Sequence, residues 1–576
     1  KYDKDACAAY VDELKTLEWR IMVEGEALGF ERAFPSIGPE AVLGIELNPY
    51  AAELARVSVW IGEIQWMLRN GFDLNRAPVL KPLDTIENKN ALVDADGNAA
   101  FWPDADVIVG NPPYMGAKFM KRRLGAEETA RIRGVYKGRL PAFTDLVCFW
   151  FENARVMIEE GRAKRAGLVG TNSIRKNTNL NVMHRILDGT RIFAAWPEQR
   201  WDIDGAAVDV SLVCFGEHPD PAAYLDGAPV TEIHADLTAG LNLTLARPLA
   251  ENAGVAMLGI QKSGPFDVAG GLAREWMAQP ANPNGRGNAS VLKPYWNGDD
   301  VTSRPRDVWL IDLPPGLSEA AAAQFAAPFH HIASTPDEDG KMIDELRDAS
   351  GSASETYPWW EPWRRRPDMR EKIERLERYI VTPETAQYRV FSWLRYPTLP
   401  DKNLIVIARE DDLMFGLLQS RFHELWSLRK GSDLQDRPRY THTSTFATFP
   451  FPDGMSPDLS VDVALQAPGA AAISEAAREL DRLRTGWLWP EGSWTEIGET
   501  TGDFPARRAP ADQAAADLLR RRTMTALYNE RPEWLVLAHR TLDEAVAAAY
   551  EVAGDIADDD LLEMLLAKNL ERSSVN

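Results

Sequence analysis

The residues of this sequence best suited to chemistry form one short run: Asn111, Pro112, Pro113 and Tyr114. The two prolines fix the backbone φ angle and remove two N–H donors, so the turn is stiff and its carbonyl groups stay available as acceptors. The side-chain oxygen of Asn111 and the carbonyl of Pro112 can each accept one hydrogen from an exocyclic amine. The ring of Tyr114 offers a face on which a planar base can stack. The run therefore predicts a site for a planar nitrogen nucleophile, with a plain proline-rich loop after a buried strand as the structural alternative.

Two strand ends upstream also carry polar side chains. The apolar run 42–45 ends at Glu46, and the segment 86–92 places the amide of Asn90 where another strand should end. An ionised carboxylate at the carboxyl end of a parallel strand can accept hydrogen bonds from both hydroxyls of a ribose. A solvated strand-end acid is the commoner explanation for Glu46 alone. Three polar strand ends in chain order, with Asn111 as the third, predict a nucleotide-type site.

The elements that must position these residues are readable from periodicity. Apolar residues recur at helical spacing over 50–69, between the first two predicted strands. A strand, a helix and a further strand in this order form a βαβ unit. The first part of the chain is therefore predicted to be α/β, with a Rossmann-like parallel sheet.

Five segments carry a specific resemblance, which extends from Glu40 to about Cys214. The sequence resembles amino-directed adenine DNA methyltransferases, and among them the large methyltransferases of type IIG/IIL restriction–modification and related phage-defence systems. The matching segments are 44–50, 110–114, 144–152, 167–175 and 205–213.

The resemblance implies S-adenosylmethionine as the cofactor, double-stranded DNA as the partner and the N6 amine of adenine as the methyl acceptor. In the family, the acid matching Glu46 binds the cofactor ribose, and the residue matching Asn90, usually Asp, contacts the cofactor adenine. The residues assigned to the cofactor are Glu46, Asn48, Pro49, Asn90, Ala91, Asn111 and Asp145. The residues assigned to the reaction are Asn111, Pro112, Pro113 and Tyr114. The residues assigned to DNA in this domain are Tyr114, Asn172, Ser173 and Arg175.

One departure from the family concerns the glycine-rich loop that holds the methionine end of the cofactor. Members begin the domain with such a loop, whereas Asp5–Tyr10 is at best a glycine-free remnant, and 9–24 reads as the helix that should follow it. Without glycine, a backbone cannot easily adopt positive φ or approach a ligand closely. We expect a chain truncated at its N-terminus, and a chain that has lost cofactor binding is the alternative.

Length, composition and net charge restrict the classes of protein to which this chain could belong. The chain has 576 residues, which is enough for two or three domains, and contains no apolar run of membrane-spanning length. Its three cysteines are isolated in apolar surroundings and nothing has zinc-ligand spacing, so we predict a cytoplasmic protein without disulfides or a metal site. The net charge of −22 argues against diffuse nucleic-acid binding but is compatible with a local DNA cleft.

Four regions are predicted. They are a methyltransferase domain at 1–217 (truncated at its N-terminus), a β-rich bridge at 218–280, a mixed α+β target-recognition domain at 281–455 and a helical C-terminal region at 456–576. Within the recognition domain, Trp363 and the basic residues Arg364, Arg365 and Arg366 lead into a basic helix expected at about 368–379. This surface could meet DNA backbone and bases. Core tryptophans with paired arginines are the structural alternative for each residue taken singly.

Three functions remain open on these observations. A sequence-specific adenine-N6 DNA methyltransferase is preferred. A protein-glutamine N-methyltransferase would use the same two acceptors, but those enzymes lack a large region after the catalytic domain. A non-catalytic DNA-binding or assembly subunit would explain the missing glycine-rich loop. No acidic pair followed by Glu-x-Lys is credible here, so a nuclease domain or other defence-system subunits would lie outside this sequence.

Overall fold

The computed structural model of the chain describes residues 37–70, 82–203, 206–336, 340–348, 357–434, 437–499 and 504–574. The expected remnant Asp5–Tyr10, the helix expected over 9–24 and Cys7 lie outside these ranges. The chain divides into two compact units, Lys1–Thr244 and Leu245–Asn576. The segment predicted as a bridge, 218–280, is therefore divided between the two units.

The first unit is α/β. Its strands are β1 (Gly44–Glu46), β2 (Ile86–Asn88), β3 (Val107–Gly110), β4 (Arg165–Thr171), β5 (Ile192–Ile203), β6 (Ala206–Gly216), β7 (Ala223–Leu225) and β8 (Ala228–Val230). Its α-helices are α1 (Pro49–Arg69), α2 (Met120–Leu124), α3 (Ala126–Val135), α4 (Val147–Glu159) and α5 (Leu180–Gly189).

These strands form two sheets. Strands β1 and β2 pair in parallel, with Glu46 opposite Asn88. The second sheet has the order β3-β4-β6-β5-β7-β8, in which β3 and β4 are parallel and β6 is antiparallel to both of its neighbours. Because β3 and β4 are parallel, the loops that leave their carboxyl ends start from the same edge of the sheet. These two loops begin at Asn111 and Asn172.

The β3–β4 pair approaches closely just before the first of these loops. Gly110 is opposite Leu168 in the parallel register. A Cβ atom at position 110 would lie 3.3 Å from Cδ2 of Leu168. The bare backbone of Gly110 therefore lets Leu168 pack against the strand that leads directly into Asn111.

Helix α4 is the main buried helix of this unit, and two of its buried residues, Glu152 and Arg155, are charged. Its buried residues are Val147, Cys148, Phe149, Phe151, Glu152, Asn153, Ala154, Arg155 and Met157. The Glu152 carboxylate accepts hydrogen bonds from Arg155 on the same helix (3.0 and 3.1 Å) and from Arg185 of α5 (3.0 Å to each oxygen). Two guanidinium groups thus compensate one buried carboxylate and join α4 to α5.

The second unit is mixed α+β. Its strands are β9 (Ala256–Leu258), β10 (Asp267–Ala269), β11 (Leu292–Trp296), β12 (Val308–Ile311), β13 (Arg378–Pro383), β14 (Ser392–Arg395), β15 (Leu399–Pro400), β16 (Leu404–Ile407), β17 (Ser432–Leu434), β18 (Arg437–Arg439), β19 (Trp494–Ile497) and β20 (Arg507–Pro510). Its helices are α6 (Gly270–Met277), α7 (Gly298–Thr302), α8 (Glu319–Ala322), α9 (Ala326–Ser334), α10 (Ile343–Asp348), α11 (Pro367–Ile373), α12 (Asp412–Gln419), α13 (Arg421–Lys430), α14 (Val461–Ala464), α15 (Ala470–Leu488), α16 (Gln513–Arg521), α17 (Met524–Glu530), α18 (Glu533–Ala549) and α19 (Asp558–Ser574).

Two four-stranded sheets organise this unit, with the orders β10-β12-β11-β15 and β14-β13-β16-β9. The basic helix expected at about 368–379 is shorter than predicted: α11 ends at Ile373, and Arg378 already begins β13. Strand β13 is buried between β14 and β16, so sheet pairing overrides the helical pattern there. In the part of the chain that the structure describes, no helix is long and apolar enough to cross a membrane.

Candidate methyltransferase site and recognition segment

The segment Asn111–Tyr114 leaves the carboxyl end of β3 as predicted. Pro112 is buried, Pro113 is exposed, and Asn111 and Tyr114 are half-buried. The Tyr114 hydroxyl donates a hydrogen bond of 2.5 Å to Oδ1 of Asn111. Burial raises the pKa of Tyr114 to about 12, so its hydroxyl is a neutral donor at physiological pH. Oδ1 of Asn111, the oxygen expected to accept a hydrogen bond from a substrate amine, is therefore already satisfied by Tyr114.

Asp145 ties this loop to the loop that leaves β4. Its Oδ1 accepts from the backbone N–H of Ala117 (2.7 Å), and its Oδ2 accepts from Ser173 Oγ (2.9 Å) and Asn179 Nδ2 (2.8 Å). The Asn179 side-chain oxygen accepts in return from the Asp145 backbone N–H (2.9 Å). Both carboxylate oxygens are engaged by the chain itself, which favours a positioning role for Asp145 over the predicted cofactor contact. Asn179 is 6% exposed and was not singled out from the sequence.

The second loop holds two of the predicted DNA contacts in a polar cluster. Asn172 donates to Glu198 Oε1 (2.7 Å) and accepts from Nε of Arg175 (2.5 Å). The Arg175 guanidinium also lies 3.6 Å from the same Glu198 oxygen. Glu198, on β5, was missed by the sequence reasoning, and its charge offsets that of Arg175. Contact of Asn172 or Arg175 with DNA would compete with these bonds.

At the end of β1, Glu46 keeps one oxygen available. Its Oε1 accepts from the backbone N–H of Asn48 (2.9 Å), whereas Oε2 accepts no hydrogen bond within the described ranges. Asn48 itself caps α1, because its side chain accepts from Tyr50 N (2.9 Å), and Pro49 is the first helical residue. Asn48 and Pro49 therefore orient the strand-to-helix turn on which Glu46 is presented.

An asparagine not singled out from the sequence supports this turn. Nδ2 of Asn88, the last residue of β2, donates to the carbonyl oxygens of Glu46 (2.8 Å) and Leu47 (3.0 Å). Asn90, two residues further on, closes its own turn by accepting from Leu92 N (2.9 Å), and it donates to Glu128 (2.9 Å). If Asn90 contacts the adenine ring of the cofactor as predicted, that contact must replace its hydrogen bonds to Leu92 and Glu128.

Ala91, the neighbour of Asn90, is half-buried. Its carbonyl oxygen accepts from the indole N–H of Trp102 (2.7 Å). Any contact that Ala91 makes with a cofactor would therefore involve its N–H or methyl group.

The structure corrects the predicted DNA surface at Arg365. This side chain is 8% exposed and pairs with Asp312 (3.2 Å) and Glu361 (3.6 Å). Burial lowers the pKa of Arg365. Asp312 also pairs with Arg370 at 2.8 Å, so the basic run is joined to the core by acids distant in sequence. Arg365 is therefore held within the fold by these ion pairs and is largely withdrawn from the surface.

The neighbouring predicted contacts differ in exposure. Arg364 is exposed, and Trp363 is half-buried and donates its backbone N–H to the Lys262 carbonyl (3.0 Å). Arg366 is half-buried, has φ +58° and donates to the Gly259 carbonyl (3.3 Å). Within this segment, Arg364 is therefore the guanidinium best exposed for contact with a partner.

Comparisons with known proteins identify two segments of the chain. Residues 7–225 match the family described as the MmeI DNA-methyltransferase domain, and residues 341–453 match the MmeI target recognition domain. DNA methyltransferase A of Bacillus subtilis (strain 168) is 23% identical over 588 aligned positions, which cover 96% of this chain and 58% of that protein. The chain thus spans little more than half of this curated relative.

A solved structure shows the same fold. The Type IIL restriction-modification enzyme MmeI, determined in complex with DNA, is 19% identical and superposes with a TM-score of 0.68. The match covers 99% of this chain and 71% of that one. Two segments of the chain thus match family models, a DNA-methyltransferase domain at 7–225, which implies a methyl donor, and a target recognition domain at 341–453.

Proposed function

We propose that this chain transfers a methyl group from S-adenosylmethionine to the N6 amine of adenine in duplex DNA, as part of a restriction–modification or phage-defence system. The observation that carries the proposal is the position of Asn111–Tyr114 at the carboxyl end of β3, inside the segment that matches the methyltransferase family. The match at 341–453 supports sequence-specific duplex DNA as the substrate.

Glu46 is the described residue that best fits the cofactor. Its Oε2 is uncommitted, and a carboxylate at a strand end suits the adjacent hydroxyls of a ribose. When bound, S-adenosylmethionine would supply its sulfonium methyl group, whose bond to sulfur would break as the bond to nitrogen forms, with a neutral thioether as the leaving group. The side chains of Asn90 and Asp145 already form hydrogen bonds within the protein. We therefore propose that they shape the site and do not contact the cofactor directly.

The chain's own contribution to the reaction is positioning and electrostatic stabilisation. Oδ1 of Asn111 and the carbonyl of Pro112 would accept the two hydrogens of the adenine amine. These bonds favour a more tetrahedral nitrogen, whose lone pair is then available to form the new N–C bond, and they stabilise the positive charge that develops on it. The nitrogen afterwards loses one proton to solvent. Tyr114 would stack on the base after its hydroxyl has left Asn111.

The test uses the whole chain, tritiated S-adenosylmethionine and duplex DNA, followed by mass spectrometry of the digested nucleosides. We expect N6-methyladenine as the product. Asn111→Ala should abolish transfer and leave DNA binding largely unchanged, because it removes one amine acceptor and no phosphate contact. Transfer at the normal rate in this variant would mean that the active site has been misplaced.

Two other functions give different results in the same experiment. A protein-glutamine methyltransferase would label a peptide and not DNA, and the target-recognition match argues against it. A non-catalytic DNA-binding subunit would bind duplex without transfer. Calorimetric titration with S-adenosylmethionine identifies this second case, because absence of saturable binding would exclude catalysis by the chain as it stands.

A further inference from the structure

A strongly basic stretch follows the proposed catalytic loop and has no role in the function described so far. Lys118, Lys121, Arg122 and Arg123, here called the cationic segment, place four positive charges within six residues of a chain whose net charge is −22. All four side chains are exposed. The segment begins only four positions after Tyr114 and includes most of helix α2.

The described part of the chain leaves the charges of this segment without carboxylate partners. In the ranges that the structure describes, none of the four forms an ion pair with a carboxylate. Nearby basic residues behave differently: Arg131 pairs with Glu128 at 3.0 Å, and Arg175 lies beside Glu198. The closest acid in sequence, Glu127, is exposed and leaves the cationic segment uncompensated. Such charges remain available for an anionic partner.

Two exposed phenylalanines are associated with cations at this surface. The ring of Phe119 lies 4.9 Å from Nζ of Lys118 and 5.1 Å from the guanidinium carbon of Arg122. Phe143, which is 72% exposed, lies 5.7 Å from the guanidinium carbon of Arg133. Contact with a ring face restricts where a long cationic side chain extends. Surfaces that bind nucleic acid commonly combine exposed rings with cations, and the cations follow the backbone.

Hydrogen bonds fix this surface relative to the catalytic loop. The backbone N–H of Ala117 donates to Asp145, and the Ala117 carbonyl accepts from Arg133 at 3.2 Å. One residue after Tyr114, the Met115 carbonyl accepts from Leu146 N at 2.9 Å. The stretch that connects Tyr114 to the cationic segment is therefore held at both of its ends, so the segment has a defined position beside the site.

We propose that the cationic segment binds the phosphate backbone of the substrate duplex beside the nucleotide that enters the Asn111–Tyr114 site. The proposal rests on the proposed function and adds a DNA contact surface within the methyltransferase domain. Because these contacts are made with phosphates, they should contribute equally to binding of matched and unmatched sequences. They would position the backbone while the recognition domain reads the bases.

The experiment compares the whole chain with the variant K121Q/R122Q/R123Q in a fluorescence anisotropy titration of duplex DNA over a series of salt concentrations. Each lost phosphate contact reduces the slope of log Kobs against log salt by about 1, so we expect the slope to fall by about 3. Matched and unmatched duplexes should lose the same factor in affinity. An unchanged slope would overturn the proposal, as would a loss confined to the matched duplex.

A pair of single substitutions controls for general charge effects. R123Q and K164Q each remove one exposed cation. Lys164 precedes the amino end of β4, the opposite end of the sheet from Asn111, and pairs with Asp106 at 2.7 Å. We expect R123Q to lower the slope by about 1 and K164Q to leave it unchanged. Equal effects of both would show a diffuse charge response and contradict a localised site.

Failure of this inference is distinguishable from failure of the proposed function. If the unsubstituted chain neither binds nor methylates DNA, both the proposed function and this inference are wrong. If the unsubstituted chain binds and methylates DNA, and the triple variant keeps its slope, only the inference is wrong. The substituted side chains are exposed, and the Lys164–Asp106 pair is a surface pair of small energetic weight, so the melting temperatures of all variants should lie close to that of the unsubstituted chain.

Discussion

Two different roles are proposed for Tyr114, one for its hydroxyl and one for its ring. The hydroxyl donates to Asn111, whereas the ring is the expected stacking surface for the base. A substrate amine must take the place of the hydroxyl at Oδ1 of Asn111. The hydrogen bond thus satisfies Oδ1 of Asn111 before a base is bound. The amine of an incoming base must displace the Tyr114 hydroxyl from that oxygen.

Tyr114→Phe should separate these roles, because it keeps the ring and removes the competing hydroxyl. A hydrogen bond contributes about 0.5–1.5 kcal/mol net, so kcat/KM on matched duplex should rise by roughly 2–10-fold. Tyr114→Ala should instead lower it by about 5–100-fold, because stacking is worth about 1–3 kcal/mol per base. Steady-state methylation kinetics check both variants. If Phe is as damaging as Ala, the hydroxyl has a positive role in the reaction.

Asp145 provides the second test at the scale of single residues. Asp145→Ala should lower kcat about 10-fold or more, because a small misplacement of reacting groups is costly. Its dissociation constant for S-adenosylmethionine, measured calorimetrically, should stay unchanged. Asn179→Ala, which removes a donor to the same carboxylate, should show the same pattern. A loss of cofactor affinity in Asp145→Ala would restore the direct cofactor contact predicted from the sequence.

These residues also show why the sequence predicted one part of the site and missed another. Asn111 and Glu46 were found because a strand end is a local feature of the sequence. Asn179 and Glu198 were missed because they lie 34 and 26 positions from their partners Asp145 and Asn172, with no periodic signal to connect them. Contacts of this kind depend on how strands and loops come together in space.

At the scale of elements, the α4–α5 contact depends on the buried Glu152 carboxylate. Burial alone would raise the pKa of Glu152, but the hydrogen bonds and charges of Arg155 and Arg185 outweigh it and hold that pKa below its usual value. A carboxyl with a depressed pKa in the folded state adds stability above its unfolded pKa of about 4.3. That contribution is lost as the pH falls through the lower, folded value.

Glu152→Gln should therefore lower the free energy of unfolding by about 3–5 kcal/mol at pH 7, because it leaves two arginines without their buried partner. The difference from the unsubstituted chain should shrink as the pH is lowered below about 4. Urea unfolding at a series of pH values gives the measurement. Glu159→Gln is the matched control: Glu159 also pairs with Arg155 but is 57% exposed, so its loss should cost less than about 1 kcal/mol.

Helix boundaries were less predictable than the helices themselves. The region 456–576 was predicted to be helical without internal boundaries, and the structure separates α16 from α17 there, with Thr523 capping α17 by accepting from Ala526 N. The helix expected near 368–379 ends early because Arg378 joins a buried strand. In both places a local hydrogen bond or a sheet pairing decided the boundary, and hydrophobic spacing does not encode either.

At the scale of the whole molecule, the distribution of basic residues matters more than the total charge. The sequence drew attention to 364–366, where the structure buries Arg365 against Asp312, an acid 53 positions earlier in the chain. The cationic segment was not singled out, although its cations are exposed. Burial of an arginine depends on acids brought near by the fold, so a basic run in sequence is a weak guide to a basic surface.

Arg364 and the cationic segment should therefore differ in what they contribute to DNA binding. Arg364 belongs to the segment that matches the target recognition domain and is exposed. Arg364→Gln should weaken matched duplex by about 1–3 kcal/mol more than unmatched duplex if this guanidinium reads a base. Competition binding between the two duplexes measures the difference. A uniform loss on both would place Arg364 among the phosphate contacts.

The close packing of Gly110 against Leu168 has a consequence for how this site can evolve. An added Cβ at 110 would meet Leu168 at 3.3 Å, so a larger residue before Asn111 needs a smaller or displaced one on β4. The two positions should vary together among homologous chains, with glycine tolerating a bulky partner and alanine favouring a shorter one. A substitution at Leu168 on the neighbouring strand would then determine which residues evolution can accept directly before Asn111.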